Sequence, residues 1–235
     1  MRRFWYGGEC CTDYGIAVSG ESTFGAPKRD ITEIEVPGRN GTLTIDNNRF
    51  KNITVTYPAL VLPNFAQNSA AAVAWLLQDA GYRKLEDEYH PDSYRMARFS
   101  GPVDFDTHFL NKSGEVDLAF DCKPQRYLRT GENVLTVSAS GTVLRSQTLF
   151  AALPLIKVYG SGSGAMQIGS VSVSFSAIDE YVYLDCDTQN AYKGTENKNS
   201  TITAPEFPAL FSGDNVITWS GGVTGMEITP RWWTV

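Results

Sequence analysis

The sequence predicts a mainly β fold: an α+β first part with one main helix, then an all-β sandwich. Short runs of alternating apolar and polar residues fill most of the 235-residue chain. Turn-forming residues are plentiful, with 21 glycines and 11 prolines. Helical periodicity is convincing in a single window, so strands have to supply most of the core.

An early β-hairpin is the first element that the pattern predicts. The alternating run 31–36 is a strand candidate, and 42–45 reads as its return strand. The segment between them contains Asn40-Gly41, a pair that suits a hairpin turn requiring positive φ. Another alternating strand is expected over residues 52–57.

The main helix is predicted over residues 70–80, with Asn68 or Ser69 as the N-cap. Gly81 is a suitable residue just beyond the C-terminal end. The spacing i, i+3, i+4, i+7 places four apolar side chains on one face, which we expect to be buried: Val73, Leu76, Leu77 and Ala80.

Strands resume after the helix. Runs 94–99 and 103–110 are candidates, and 115–122 alternates clearly, with Val116, Leu118, Phe120 and Cys122 pointing to one side. A polar stretch over 129–140 is the best candidate boundary, and we place it between residues 135 and 136. Strand candidates with turns every 8–15 residues or so then continue to the C-terminus, as in a β-sandwich.

Composition excludes several classes of function. Lys and Arg number 20 and Asp and Glu 26, a formal net charge of −6, which argues against a nucleic-acid-binding protein. No run of about 18 apolar residues predicts a membrane span. The N-terminus lacks the apolar core of a signal peptide, so we expect folding in a reducing cytoplasm. The four cysteines are irregularly spaced and are expected to be free thiols.

Motifs that could support catalysis are weak. Asp104, Asp106 and His108 alternate along a strand and could hold a metal or do acid–base chemistry, but the wet face of a half-buried strand explains them better. The segment 160–165 resembles a phosphate loop but lacks its lysine, so a flexible turn between strands is favoured. No nucleophile motif is complete. We therefore predict no catalytic residue, no cofactor and no metal.

The last residues include Trp232 and Trp233. Adjacent side chains on a strand point to opposite faces, so one tryptophan can fill the core while the other contacts a partner or a sugar ring. Packing of both tryptophans within the domain is the alternative.

Together, a series of short strings resembles the distal tail proteins of bacteriophages with long, non-contractile tails. Their order and spacing match over nearly the whole chain, although each string alone is weak. They are Arg29-Asp30 with 36–41, Trp75-Leu76-Leu77 with 81–85, 94–99, 120–127, 154–160, 207–210 with 213–215, and 230–233.

The resemblance implies a ring-forming domain over residues 1–135 and a galectin-like β-sandwich over 136–235. It implies a structural protein rather than an enzyme, six copies of which form a ring at the distal end of the tail. The ring would join the tail-tube protein to the tail-associated protein, leave a channel for DNA, and have receptor-binding proteins as candidate further partners. The expected location is the virion, after assembly in the host cytoplasm.

Candidate partner contacts are Arg39 and Asn40 at the hairpin turn and Trp232 and Trp233 at the C-terminus. The alternative function is a carbohydrate-binding module that contacts the bacterial surface through the C-terminal sandwich. Trp219 could join the last two tryptophans as a stacking platform. The second half contains no histidine, which disfavours a galectin-type sugar site.

Overall fold

A computed structural model describes residues 2–19, 24–108 and 112–235 of the chain. Contacts divide it into two compact units, Met1–Arg126 with Val235, and Tyr127–Thr234. The boundary expected between residues 135 and 136 lies further along the chain, after a 3-10 turn at Arg129–Glu132. Strands dominate both units, so the prediction of a mainly β fold with one main helix is confirmed.

The first unit is a curved sheet with the strand order β2-β1-β7-β8-β10-β6-β3, in which β9 also pairs with β10. Strands β4 and β5 form a separate two-stranded sheet. The elements are β1 (Phe4–Tyr6), β2 (Glu9–Cys10), β3 (Ile16–Val18), β4 (Arg29–Glu35), β5 (Thr42–Phe50), β6 (Ile53–Val61), α1 (Phe65–Leu77), β7 (Arg83–Asp87), β8 (Ser93–Arg98), β9 (Asp106–His108) and β10 (Ser113–Leu128).

An aromatic cluster fills the core of this unit. Phe4 stacks on Tyr57 with ring centroids 4.8 Å apart, and Tyr6 meets Phe120 edge-on at 5.1 Å. The alternation predicted along β10 is confirmed, because Val116, Leu118, Phe120 and Cys122 are all buried. Aromatic pairs in these geometries add to the free energy gained by burying their area.

Helix α1 differs from its prediction in both bounds and buried face. It begins at Phe65 and ends at Leu77, so Asn68 and Ser69 lie inside it rather than at its N-cap. The buried side chains are Ala72, Trp75 and Leu76, whereas Leu77 is exposed. Trp75 decides the register, because its ring stacks on Tyr14 at 4.4 Å and supplies more apolar area than Val73 or Ala80.

The second unit is built on one sheet with the order β11-β18-β13-β14-β15-β16, to which β12 adds beside β18 and β17 beside β14. Its elements are β11 (Leu135–Val137), β12 (Thr142–Arg145), β13 (Leu155–Ile168), β14 (Val171–Asp185), β15 (Asn190–Lys193), β16 (Glu196–Asn197), β17 (Ile202–Thr203), β18 (Asp214–Thr229) and β19 (Trp233–Thr234). The long strands β13, β14 and β18 are neighbours in this sheet, whose buried face forms a second core.

The glycine-rich segment 160–165 is not a turn, contrary to the prediction. It lies in the middle of β13, where the pairing with β14 shifts register between Gly162 and Gly164. A Cβ added at Gly160 would lie 2.3 Å from the carbonyl oxygen of Gly222 on β18. Glycines are needed here because they let two bent strands approach closely, an effect that strand alternation does not report.

Candidate interaction surfaces

The hairpin β4–β5 is exposed along almost its whole length. Ile34 faces Leu43 across the strands and Thr32 faces Ile45. Exposed fractions are 41% for Ile34, 42% for Leu43 and 46% for Ile45. A two-stranded sheet is marginally stable by itself, and clustered exposed apolar side chains mark interaction sites. We call residues 29–50 the hairpin arm.

The tip of the arm contains two of the predicted contact residues. Val36 accepts a hydrogen bond from the Arg39 amide at 3.1 Å, and Gly38 has φ 80°, as in a type II turn with Pro37 before the glycine. The predicted hairpin is therefore present, but positive φ occurs at Gly38 and Gly41 rather than at Asn40. The side chains of Arg39 and Asn40 are exposed.

Ion pairs hold the base of the arm. The buried carboxylate of Asp30 accepts from Arg49 Nε at 2.7 Å and lies 3.4 Å from Lys51 Nζ. The hydrogen bond from Arg49 lowers the pKa of Asp30 most, and Lys51 lowers it further. Arg29 bonds to Asp46 across the same strands. These ion pairs fix the pairing of β4 with β5 at the base of the arm. They do not cover the apolar side chains further along its strands.

The two C-terminal tryptophans have different surroundings. Trp232 is 1% exposed and belongs to the core of the second unit. Trp233 is half-buried, stacks on Phe150 with centroids 4.6 Å apart, and donates from Nε1 to the Ala151 carbonyl at 2.9 Å. Trp233 is therefore the more exposed of the two tryptophans.

A second surface, which the sequence patterns do not predict, lies on the outer face of the second unit. We call it the tyrosine face; it consists of Tyr159, Tyr181, Tyr183 and Tyr192 with Lys157 and Lys193. Strand pairing places Lys157 opposite Tyr183, and Tyr183 opposite Tyr192. The core residues Ile156, Val158, Val182 and Leu184 alternate with these side chains on the buried side.

Lysine charge is held over the rings of this face. Lys157 Nζ lies 4.7 Å from the ring centroid of Tyr159 and 4.5 Å from that of Tyr181, which is cation–π distance. Its pKa is raised, chiefly by the hydrogen bond with Tyr159. Rings and charged groups on one sheet face can stack on a sugar or pack against a protein.

The motifs considered for catalysis do not converge. Asp104 and Asp106 are exposed, and the side chain of His108 lies outside the described residues. Within residues 2–19, 24–108 and 112–235, no three His, Cys, Asp or Glu side chains are placed to hold a metal ion. The same residues contain no helix long and apolar enough to span a bilayer.

Comparison with solved structures establishes the fold over the whole chain. The Dit protein (gp 19.1) of phage SPP1, presented as a paradigm of the hub adsorption apparatus in phages that infect Gram-positive bacteria, superposes with a TM-score of 0.78. The alignment covers 97% of this chain and 98% of that one at 14% identity. A chain of the phage p2 baseplate, in its activated conformation with Sr, gives a TM-score of 0.53 at 10% identity, with 97% of both chains covered. The sequence matches no family model and no curated protein.

Proposed function

We propose that the chain is a structural subunit of a phage tail tip. Six copies close a ring that joins the tail tube to the tail-associated protein and leaves a channel for DNA. The observation that carries the proposal is the likeness to the SPP1 hub protein from end to end, including both units. The subunit acts through its surfaces rather than through catalysis, and its location is the distal end of the virion tail.

The hairpin arm is the element we assign to ring closure. A ring subunit contacts its neighbour through two different patches, and the contact closes by rotation. The arm offers one such patch, because its apolar side chains have no cover in the single chain while its base is held by ion pairs. Receptor-binding proteins are proposed partners at the periphery, and Arg39, Asn40 and Trp233 are proposed contact residues.

Native mass tests this proposal directly. We expect light scattering after gel filtration to give six or twelve times the chain mass of 25.9 kDa, with rings in negative-stain images. The double variant Ile34→Ser/Leu43→Ser removes one cross-strand apolar pair from the arm and should dissociate the ring.

The matched control is Val143→Ser/Val216→Ser, which removes a somewhat more exposed cross-strand pair from the second unit and should leave the ring intact. A monomer at every concentration contradicts self-assembly. A ring that survives the arm variant contradicts the role of the arm.

The tyrosine face favours a second candidate function, carbohydrate binding at the bacterial surface. Stacking of sugar rings on tyrosines beside charged side chains requires the kind of face seen on β13, β14 and β15. A glycan array with the full chain tests it, with Tyr183→Ala as the disrupting variant and Tyr82→Ala in the first unit as the control. Binding that is unaffected by Tyr183→Ala would assign the sugar contact elsewhere.

A further inference from the structure

Two arginines, Arg95 and Arg126, line a small cavity of the first unit that is partly open to solvent. The cavity measures about 20 Å³. Buried side chains of Val55, Tyr57, Leu85, Ser93 and Arg95 line its inner part, and half-buried Asp87, His90, Tyr94 and Arg126 complete it. These residues come from β6, β7, β8, β10 and the loop between β7 and β8.

Arg95 is 4% exposed and only partly bonded. Its Nη1 donates to the Pro124 carbonyl at 2.6 Å, whereas Nε and Nη2 have no hydrogen-bond partner. Arg126 Nε is buried and also unpartnered. Buried guanidinium donors without acceptors are costly, so native proteins satisfy them. Three unsatisfied donors on two side chains that line one cavity indicate an occupant that accepts hydrogen bonds.

The charge of the cavity selects the occupant. Asp87 is the carboxylate in the lining, and it is already engaged: Tyr57 donates to Oδ2 at 2.6 Å, and the amides of Tyr89 and His90 donate to Oδ1 at 3.0 and 2.8 Å. Two guanidinium groups and one carboxylate leave one positive charge uncompensated. A water molecule could accept hydrogen bonds there, but because it is neutral it would not balance the positive charge.

We infer that this cavity is a binding site for a small monoanion of the size of chloride, held by Arg95 and Arg126. A cavity of about 20 Å³ has room for about one water-sized occupant, which fits chloride better than the larger phosphate or sulfate. The anion would balance the charge of buried Arg95 and half-buried Arg126 and tie β8 to β10, whose pairing lies in the middle of the sheet.

Chlorine-35 NMR of the full chain tests the inference. The wild-type protein should broaden the chloride signal, and bromide should reverse the broadening. Arg126→Gln should weaken binding about tenfold, because it removes a charge-assisted hydrogen bond. The control is Arg98→Gln, since Arg98 lies on the opposite, exposed face of β8 and pairs with Asp121 at 2.7 Å. Equal broadening by the wild type and Arg126→Gln overturns the site.

Diffraction from crystals of the wild-type protein grown in bromide provides a measurement that does not depend on a variant folding. An anomalous peak between Arg95 and Arg126 supports the site. Water alone in the cavity, with no anomalous peak, overturns it.

Discussion

Burial makes three of the four cysteines unreactive in the folded chain. Desolvation raises the pKa of Cys11 to about 11 and those of Cys122 and Cys186 to about 12. Thiolate is the reactive form, and these groups remain protonated at pH 8. The structure has all four thiols free, with Cys10 partly exposed.

We therefore expect a thiol reagent at pH 8 to label Cys10 alone in the native protein and all four cysteines after unfolding. Mass spectrometry of the labelled chain measures this. Cys10→Ser should abolish native labelling, and rapid modification of Cys122 in native protein would contradict the burial.

Asp185 and Arg231 form the strongest candidate for a pH-sensitive ion pair in the second unit. Arg231 Nη1 lies 2.6 Å from Asp185 Oδ1. Burial raises the pKa of Asp185, but the hydrogen bond and charge of Arg231, together with backbone hydrogen bonds from Asp187 and Thr188, outweigh burial, and the net pKa is lowered. A carboxyl whose pKa is lower in the folded state stabilises above its unfolded pKa and loses that contribution as pH falls through the folded value.

The expected result is that Asp185→Asn lowers the free energy of unfolding at pH 7 by about 1 kcal/mol, and that the deficit shrinks below about pH 4. Urea unfolding at several pH values measures it. Asp214→Asn is the control, since Asp214 is largely exposed and lies 3.9 Å from Arg145. A deficit that grows on acidification would contradict a lowered pKa of Asp185 in the folded state.

At the scale of elements, the close approach of β13 and β18 depends on glycine. A Cβ on Gly222 would lie 1.9 Å from the Ser161 carbonyl oxygen, which is backbone and cannot swing away. We expect Gly222→Ala to lower the free energy of unfolding by about 3 kcal/mol, because the two strands have to separate.

Gly81→Ala is the matched control for this effect. Gly81 has no positive φ, and the nearest atom to its added Cβ is the end of the flexible Asp79 side chain at 3.2 Å. Its cost should stay within about 0.5 kcal/mol in the same urea titration. Equal costs at the two positions would mean that the bend in β13 adjusts freely.

Sequence patterns predicted the elements whose information is local. Alternation identified the hairpin and the buried side of β10, since a strand repeats every two residues whatever it packs against. The predicted buried face of α1 is wrong because apolar spacing does not distinguish Leu77 from Trp75, whereas in the structure the Trp75 ring stacks on Tyr14. The bend at Gly160 was missed because only the facing strand reveals why glycine is required there.

Surfaces assembled from distant segments could not be predicted in the same way. Tyr159, Tyr181 and Tyr192 join one face through the register of three strands. Arg95 and Arg126 line one cavity because β8 and β10 are neighbours in the sheet. Local periodicity does not reveal how β13, β14 and β15 pair, or that β8 lies beside β10. Alternation within 157–159 and 181–183 does place each tyrosine of these runs on the solvent side.

At the scale of the whole molecule, the charge balance has a consequence for the proposed channel. The chain has six more acidic than basic residues, and each copy added to a ring adds the same excess. DNA binding without sequence preference depends on Lys and Arg that displace counterions from phosphates. In the proposed ring, DNA has to pass without being retained, and an excess of acidic side chains along its path would repel phosphates within a Debye length of about 8 Å at physiological salt.

We expect the assembled protein to leave a 30-base-pair duplex unshifted in native gels up to about 10 µM subunit, at both low and physiological salt. A basic DNA-binding domain in the same gel verifies the assay. A shift that weakens as salt rises would reveal a basic surface created by assembly. That result would contradict a channel that repels DNA. It would not contradict the proposed ring, which native mass tests separately.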